Sequence, residues 1–289
     1  MKDTLSIRLL RTLSTAKEQL SSEALALIKQ YVNSQLLEDG VSFKNKVGAS
    51  DLYYTAFGWL LSYVLEITLD GRQRKVYLNS IQRADLGLIH YAALMRCCLL
   101  DELMDKGKLQ MALAGVKTRE IPTLSSYHEV PQGDPHNPYS QFIWQGLLED
   151  TGHADNTYEV SQMEIYHIPG QGYANSPAHD MAYLNATTAA LVLLGRSNDW
   201  KKNDDVTALQ QMQEESGGFK ASMTAPIADL LSTATALFVL KQYGVKPLFD
   251  ASDFIVSHWL ENGGFAATLL DEASDVEYVF YGLLALGSL

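Results

Sequence analysis

The sequence has few of the residues that mark several large classes of protein. Its 289 residues include two cysteines, Cys97 and Cys98, whose adjacent places in a helical stretch predict buried thiols rather than a disulfide or a metal site. Lys and Arg number 22 against 34 Asp and Glu, which gives a net charge of −12. Nucleic acids and anionic membranes are bound through clustered Lys and Arg. No such cluster is present, residues 72–75 are expected to be solvated surface, and we expect no nucleic-acid partner.

Long apolar runs and strand-like alternation are also missing. No run approaches the roughly 18–20 apolar residues that span a bilayer, and the first residues are mixed polar rather than a signal peptide. We therefore expect a cytoplasmic protein without a membrane span. With 47% hydrophobic residues and no recognisable linker, the sequence predicts a single domain over residues 1–289.

What the sequence does contain is a repeated unit of a glycine turn, a loop and a helix. In residues 213–244, Gln213, Gly217 and Phe219 form a Q-x-x-x-G-x-F turn, and Asp229 follows ten residues after Phe219. An aspartate is favoured in this place by the unpaired N–H groups and the dipole of a helix start. The helix after it is apolar nearly all round, so it must be buried on more than one side.

Four clear copies of this unit and two degenerate ones predict six inner helices. Their predicted starts are Asp51, Asp85, Asn137 to Pro138, Asp180, Asp229 and Asp275. The starts are 34, 52, 43, 49 and 46 residues apart, a period that suits two helices and two loops. We therefore predict an all-α protein whose six inner helices alternate with outer helices and close into an α/α toroid, an α6-α6 barrel with a cavity at one end.

These turns and helices resemble the repeats of protein prenyltransferase β subunits and of squalene-hopene and other terpene cyclases. The features that carry the resemblance are the turn at Gln213, its counterpart at Trp259, and the D-x-x-[SY] starts of the helices that follow them. The resemblance covers residues 35–286 and is more specific for the fold than for any one activity. It implies an inner ring of motif helices around a cavity that binds isoprenoid chains.

The same resemblance predicts a zinc-less relative with no cofactor. The zinc-binding aspartate of the prenyltransferases falls on Asp229, but their cysteine ligand falls on Leu231 and their histidine ligand on Tyr278. The basic residues that bind diphosphate fall on Met223 and Pro226. Because a catalytic zinc needs three protein ligands, the sequence argues against protein prenylation.

Cyclase chemistry has little motif support either. The D-x-D-D motif of class II cyclases is missing, and the nearest acidic cluster, residues 199–205, is expected to be a solvated turn. Asp101 and Asp105 give one faint match to the magnesium motif of class I terpene enzymes.

The candidate catalytic residues are helix-start acids and one histidine. Asp51, Asp180 and Asp229, together with Asp275, should meet at one rim of the ring, where mutual repulsion would raise at least one pKa towards neutrality and make a proton donor. Glu277 is a further possible cavity acid. Alternatively, each aspartate only caps its helix. His90 is a candidate acid or base in an inner helix, or else a simply packed histidine.

Aromatic and hydroxyl side chains near the helix starts are the candidate substrate-cavity residues. They are Tyr54, Phe57, Tyr183, Ser232 and Tyr278. Facing inward, they would suit a polyene or a developing carbocation, and facing outward they would pack between the two rings. Two functions follow. The protein is an enzyme that acts on an isoprenoid or related lipid, or it is a non-catalytic toroid that binds an isoprenoid or serves as a partner subunit.

Overall fold

Helices make up almost all of the regular structure. The computed structural model describes residues 3–117, 121–127, 129–153, 160–195 and 204–289. Six helices form an inner ring: α3 (Leu52–Leu65), α5 (Leu88–Lys106), α7 (Pro138–Asp150), α8 (Leu184–Leu194), α10 (Leu230–Gln242) and α12 (Val276–Leu286). Six others lie outside it or across it: α1 (Leu5–Gln19), α2 (Ser22–Ser34), α4 (Gly71–Ser80), α6 (Leu109–Val116), α9 (Asp204–Gln211) and α11 (Ser252–Ser257).

The inner helices close on themselves. Each one contacts the next in chain order, from α3 through α5, α7, α8 and α10 to α12, and α12 returns to contact α3. Outside this ring, α2 packs on α3 and α12, α4 and α6 pack on α5, α9 packs on α8 and α10, and α11 packs on α12. The predicted all-α toroid is therefore confirmed.

Helix α1 lies across the ends of the inner helices rather than beside one of them. The backbone N–H of Leu5 donates to Glu149 at the end of α7, over 2.8 Å. Lys17 forms a 2.7 Å ion pair with Glu66, which follows the last residue of α3. These contacts place α1 at the C-terminal ends of the ring. The opposite rim is where the inner helices begin.

Four of the six inner helices begin where the sequence predicts. Asp51, Asn137, Asp229 and Asp275 are the N-caps of α3, α7, α10 and α12, and each side chain accepts a hydrogen bond from a backbone N–H of the first turn. These bonds satisfy donors that a helix start otherwise leaves unpaired. The Ser21 hydroxyl caps α2 in the same way, accepting from the N–H of Ala24.

The predicted starts at Asp85 and Asp180 were wrong. Helix α5 is capped by Gly87 and α8 by Tyr183, and neither cap residue makes a side-chain hydrogen bond to its helix. Asp85 lies in the 3₁₀ turn Arg83–Asp85, and Asp180 is exposed in the loop before α8. With Tyr183 as the cap, the last four caps are spaced 46 residues apart.

A buried threonine ties three of the four glycine turns to their inner helices. Three turn residues, Phe43, Tyr173 and Phe219, donate their N–H to the hydroxyls of Thr55, Thr187 and Thr233 over 2.8–3.0 Å. In every case the threonine is the fourth residue after the cap. The arrangement fixes the turn against the first turn of the helix.

Short strand pairs accompany two of these turns, which the sequence did not predict. Strand β1 (His167–Ile168) pairs with β2 (Gly172–Tyr173), and β3 (Phe219–Lys220) pairs with β4 (Ala228–Asp229), both antiparallel. Each strand has two residues, so the pairs are extensions of the turns rather than a sheet.

Residues 72–75 are exposed as expected except for Arg74, which is buried. Its guanidinium donates to Asp101 over 2.8 Å, to Asp105 over 2.6 Å and to the carbonyl of Leu69 over 2.6 Å. Lys75 binds the second oxygen of Asp105. Both acids of the faint magnesium motif are thus held in ion pairs that join α4 to α5.

Three further expectations concern the cysteines, the acidic cluster and membrane-spanning helices. Cys97 and Cys98 are buried thiols, as predicted. Of the acidic cluster 199–205, residues 199–203 lie outside the described part of the chain. Within the described residues, no helix is both long and apolar enough to cross a lipid bilayer.

Candidate functional site

The inner ring encloses a cavity of about 310 Å³. Residues from all six inner helices line it, and Leu5 and Leu9 of α1 close its C-terminal end. Most of the wall is aliphatic or aromatic, which is the composition expected of a site for an apolar ligand.

The lining residues occur at fixed distances from the helix caps. At the sixth position after the cap, every inner helix contributes one lining residue: Phe57, Ala93, Ile143, Ala189, Thr235 and Tyr281. At the second position, near the rim, the contributors are Tyr53, Ile89, Tyr139, Asn185 and Leu231. At the ninth they are Arg96, Val192, Phe238 and Leu284. Seven residues of helix separate the second and ninth positions, a depth of about 10 Å.

Of the predicted cavity residues, Phe57 lies in the wall. Tyr54, Ser232 and Tyr278 occupy the third position after their caps. Successive residues of a helix point about 100° apart, so these side chains are turned away from the direction of the second-position residues. The cavity wall at this level is formed by the neighbouring second-position residues. Tyr183 is the cap of α8. These four lie around the rim rather than among the residues that line the cavity.

The predicted acids at the helix starts are bonded to their own helices. Asp51 accepts from the N–H of Tyr53 over 2.8 Å, and Asp229 accepts from both the N–H and the hydroxyl of Ser232 over 2.7 Å. Burial raises the pKa of Asp229, although these bonds oppose the shift. The cause is therefore burial, not the mutual repulsion expected from the sequence. His90 is half-buried on α5, outside the cavity lining.

Glu277 is the acid placed closest in register to the cavity wall. It is the second residue after Asp275, the position that lines the cavity in the other five inner helices. The hydroxyl of Tyr53 donates to its Oε1 over 2.6 Å. Burial raises the pKa of Glu277, the Tyr53 bond opposes this, and the nearby charges of Asp275 and Asp51 add to the rise. Glu277 therefore keeps its proton to a higher pH than an exposed glutamate does.

Arg96 lies at the other end of the cavity, and no sequence pattern identified it as a candidate. It is the one charged residue among the described residues that line it. Its Nε donates to the Ser6 hydroxyl of α1 over 3.0 Å and lies 3.6 Å from Asp150 Oδ2. The Ser6 hydroxyl in turn donates to Asp150 over 2.6 Å. Burial raises the pKa of Asp150, and Arg96 opposes that rise.

A prenyltransferase-like zinc site does not fit these residues. Leu231 offers no ligand atom. Burial raises the pKa of Tyr278 to about 12, so its hydroxyl stays protonated, and the ammonium of Lys46 lies 5.3 Å from the centre of its ring. Within the described ranges, no three His, Cys, Asp or Glu side chains are grouped closely enough to hold a metal ion.

Comparison with known proteins places the fold but gives no close relative. No protein-family model matches the chain, and no curated protein matches it. Among solved structures, the type II terpene cyclase MstE from Scytonema superposes with a TM-score of 0.54 at 12% identity, over 92% of this chain and 96% of the cyclase. This chain has the α/α toroid fold of the terpene cyclases. The resemblance to that superfamily is confirmed at the level of the fold.

A protein prenyltransferase is equally similar. Candida albicans protein geranylgeranyltransferase-I, complexed with GGPP, superposes with a TM-score of 0.55 at 12% identity, over 99% of this chain and 91% of that one. A variant of MstE in complex with its substrate geranylgeranyl dihydroxybenzoate superposes at 0.50, with 11% identity and 98% of this chain covered. Two of these similar structures, one a prenyltransferase and one a cyclase, thus contain geranylgeranyl ligands.

Proposed function

We propose that this protein binds an isoprenoid or a related apolar lipid in the central cavity and acts on it at the rim, with Glu277 as the acid. The observation that carries the proposal is a half-buried carboxyl group, with a pKa raised by burial, at the rim of an aromatic cavity. Its hydrogen bond from Tyr53, at 2.6 Å, fixes its position.

The walls of the cavity suit an unsaturated chain. Tyr53, Phe57, Phe280 and Tyr281 form one aromatic group, with ring centres 4.8–6.0 Å apart along the series. Aromatic faces attract cations, so they favour a carbocation that forms between them. The two neighbours above, one complexed with GGPP and the other with geranylgeranyl dihydroxybenzoate, both hold geranylgeranyl ligands, which supports the same class of ligand here.

The proposed step is protonation of an alkene. The O–H bond of Glu277 breaks as a C–H bond forms, the π electrons of the alkene supply the new bond, and the adjacent carbon becomes a carbocation. The carboxylate left on Glu277 keeps the hydrogen bond from Tyr53, which stabilises its negative charge. Loss of a proton from the product cation to this carboxylate restores the acid.

The residues predicted from the sequence remain candidates for the same step. Asp51 and Asp229 lie at the same rim, and Asp180 and His90 lie farther from the cavity wall. Glu277 is preferred because it holds the second position after its cap, the position that lines the cavity in the other five inner helices. Asp51 and Asp229 are cap residues whose carboxylates are already bonded to backbone N–H groups.

Matched variants distinguish these acids. Purified protein is incubated with geranylgeranyl diphosphate and with squalene, and the products are identified by mass spectrometry. Glu277→Gln keeps the shape and the acceptor for Tyr53 but cannot donate a carboxyl proton, so we expect a loss of turnover of about 10²–10⁴-fold. Asp229→Asn still caps its helix and should keep turnover. The opposite pattern would assign the acid to Asp229.

A non-catalytic role has one specific observation in its favour. Met223 and Pro226 stand where prenyltransferases bind diphosphate, so a diphosphate leaving group would have no basic clamp. In that case the toroid holds an isoprenoid or joins a partner subunit. Lipid extracted from the purified protein would then be recovered unchanged, no substrate would be turned over, and native mass spectrometry would show whether a second chain is present.

A further inference from the structure

The closed end of the cavity differs chemically from the rest of the wall. Leu5 and Leu9 of α1 form part of it, but Arg96 projects from α5 at the same level. The Arg96 side chain is 21% exposed. Because Arg96 lines the cavity, a cation is available to any ligand that reaches this end.

The hydrogen bonds of Arg96 leave part of its guanidinium unused. A guanidinium has five N–H donors. The Nε donor is taken by Ser6, and Asp150 lies 3.6 Å from Nε, beyond a normal hydrogen bond. Among the described residues, no hydrogen bond joins the two terminal nitrogens of Arg96 to another group. Those nitrogens form the edge that binds carboxylates and phosphates in a bidentate manner.

Ser6 and Asp150 hold this edge in position. Asp150 is 1% exposed, and its Oδ2 accepts from the Ser6 hydroxyl, which itself accepts from Arg96. The contacts link α1, α5 and α7, so the orientation of the guanidinium depends on α1 lying across the ring. Burial also favours protonation of Asp150, which leaves more of the positive charge of Arg96 uncompensated.

The two polar ends of the cavity are separated by an apolar middle. Glu277 is at the second position after its cap and Arg96 at the ninth, levels about 10 Å apart along the helices. Between them lie Ala93, Ala189 and Phe280. A ligand that satisfies both ends has an apolar chain with one anionic terminus.

We propose that Arg96 binds the anionic group, a carboxylate or a phosphate, of an isoprenoid ligand whose chain fills the cavity towards Glu277. This inference rests on the proposed function, since it requires the cavity to take an isoprenoid chain. It adds the chemical class of the head group and the direction in which the ligand lies.

The test compares ligands that differ only in the head group. Binding of farnesol, farnesoic acid and farnesyl monophosphate, and of geranylgeraniol and geranylgeranoic acid, is measured by calorimetry on the full chain. We expect an acid or the phosphate to bind at least about tenfold more tightly than the alcohol of the same length. The more tightly bound of farnesoic acid and farnesyl monophosphate identifies the source of the anion.

Variants at the closed end locate the preference. Arg96→Met removes the cation and leaves the buried Asp150 without its cationic partner, so the double variant with Asp150→Asn is made as well. Arg83→Met, at the exposed turn before α5, is the control. In the double variant we expect the acid and the alcohol to bind equally, with alcohol binding unchanged. The control should keep the preference.

The remaining outcomes separate the two proposals. Equal binding of acid and alcohol to the unaltered protein would overturn the role of Arg96 and leave the isoprenoid cavity intact. A preference that persists in the double variant would also overturn it. If no chain of either length binds, the proposed function fails together with this inference.

Discussion

Replacing Thr233 by Val removes one hydroxyl that holds the glycine turn at Gly217 to its inner helix. Thr233 is fully buried, accepts the N–H of Phe219 over 2.8 Å and donates to the carbonyl of Asp229 over 2.8 Å. In the variant, the buried N–H of Phe219 has no acceptor, which costs about 1–3 kcal/mol. We expect the free energy of unfolding to fall by about 2 kcal/mol, from a typical total of about 5–15 kcal/mol.

A second threonine in the same helix is the matched control. The hydroxyl of Thr235 donates to the carbonyls of Leu231 and Ser232 over 2.9 and 3.2 Å. Its removal leaves no buried N–H unpaired, so Thr235→Val should change stability by less than about 0.5 kcal/mol. Urea unfolding of both variants gives the comparison, and hydrogen exchange at the amide of Phe219 reports the bond itself. Equal losses in the two variants, or full protection of that amide in Thr233→Val, would refute the reasoning.

Three further predictions concern other parts of the ring. Burial raises the pKa of Glu277 in the folded protein above its ordinary 4.5. The folded state therefore binds the proton more tightly than the unfolded state, and the protein loses stability as the pH rises from 4.5 to the folded pKa. Measured by urea unfolding, Glu277→Gln should be more stable than the parent at pH 8 and equal to it near pH 4. Gly282→Ala should lower the melting temperature, because a Cβ at this position would lie 2.5 Å from the ring of Phe265. The cost of overpacking, about 1–3 kcal/mol, outweighs the gain in helix propensity of about 1 kcal/mol. Metal analysis of purified protein should find no stoichiometric zinc, since Leu231 and Tyr278 replace two ligands, whereas about one zinc per chain after gel filtration would reveal a different ligand set.

The fold could be predicted because each repeat is recognisable from residue types that lie close together in the sequence. Aspartate or asparagine caps and buried apolar helices identify four inner helices at the correct residue. The helix start at Asp180 was predicted wrongly because the prediction followed the aspartate and not the regular spacing of the repeats. Tyr173 is followed after ten residues by Tyr183, the same gap that separates Phe219 from Asp229. The start at Gly87 had no comparable signal, since its repeat has no glycine turn.

The site was harder to predict because it depends on how the helices are rotated within the ring. Tyr53 and Tyr54 are adjacent in sequence and equally aromatic, yet only the packing of α3 between α5 and α12 decides that Tyr53 lines the cavity. Arg96 is a lone arginine in an apolar helix. Its role at the closed end requires Ser6, which is 90 residues away in the chain. No local pattern could bring these two residues together.

The central claim is that the cavity holds an isoprenoid chain, and filling the cavity tests it most directly. Ala189 lies at the sixth position of α8, in the middle of the wall, and Ala189→Phe would occupy the space of the chain. Ala84→Phe, in an exposed turn, is the control. With folding checked by circular dichroism, calorimetry should show one farnesol or geranylgeraniol bound per protein in the parent and in Ala84→Phe, and affinity at least about tenfold weaker in Ala189→Phe. Unchanged binding in Ala189→Phe would contradict the account.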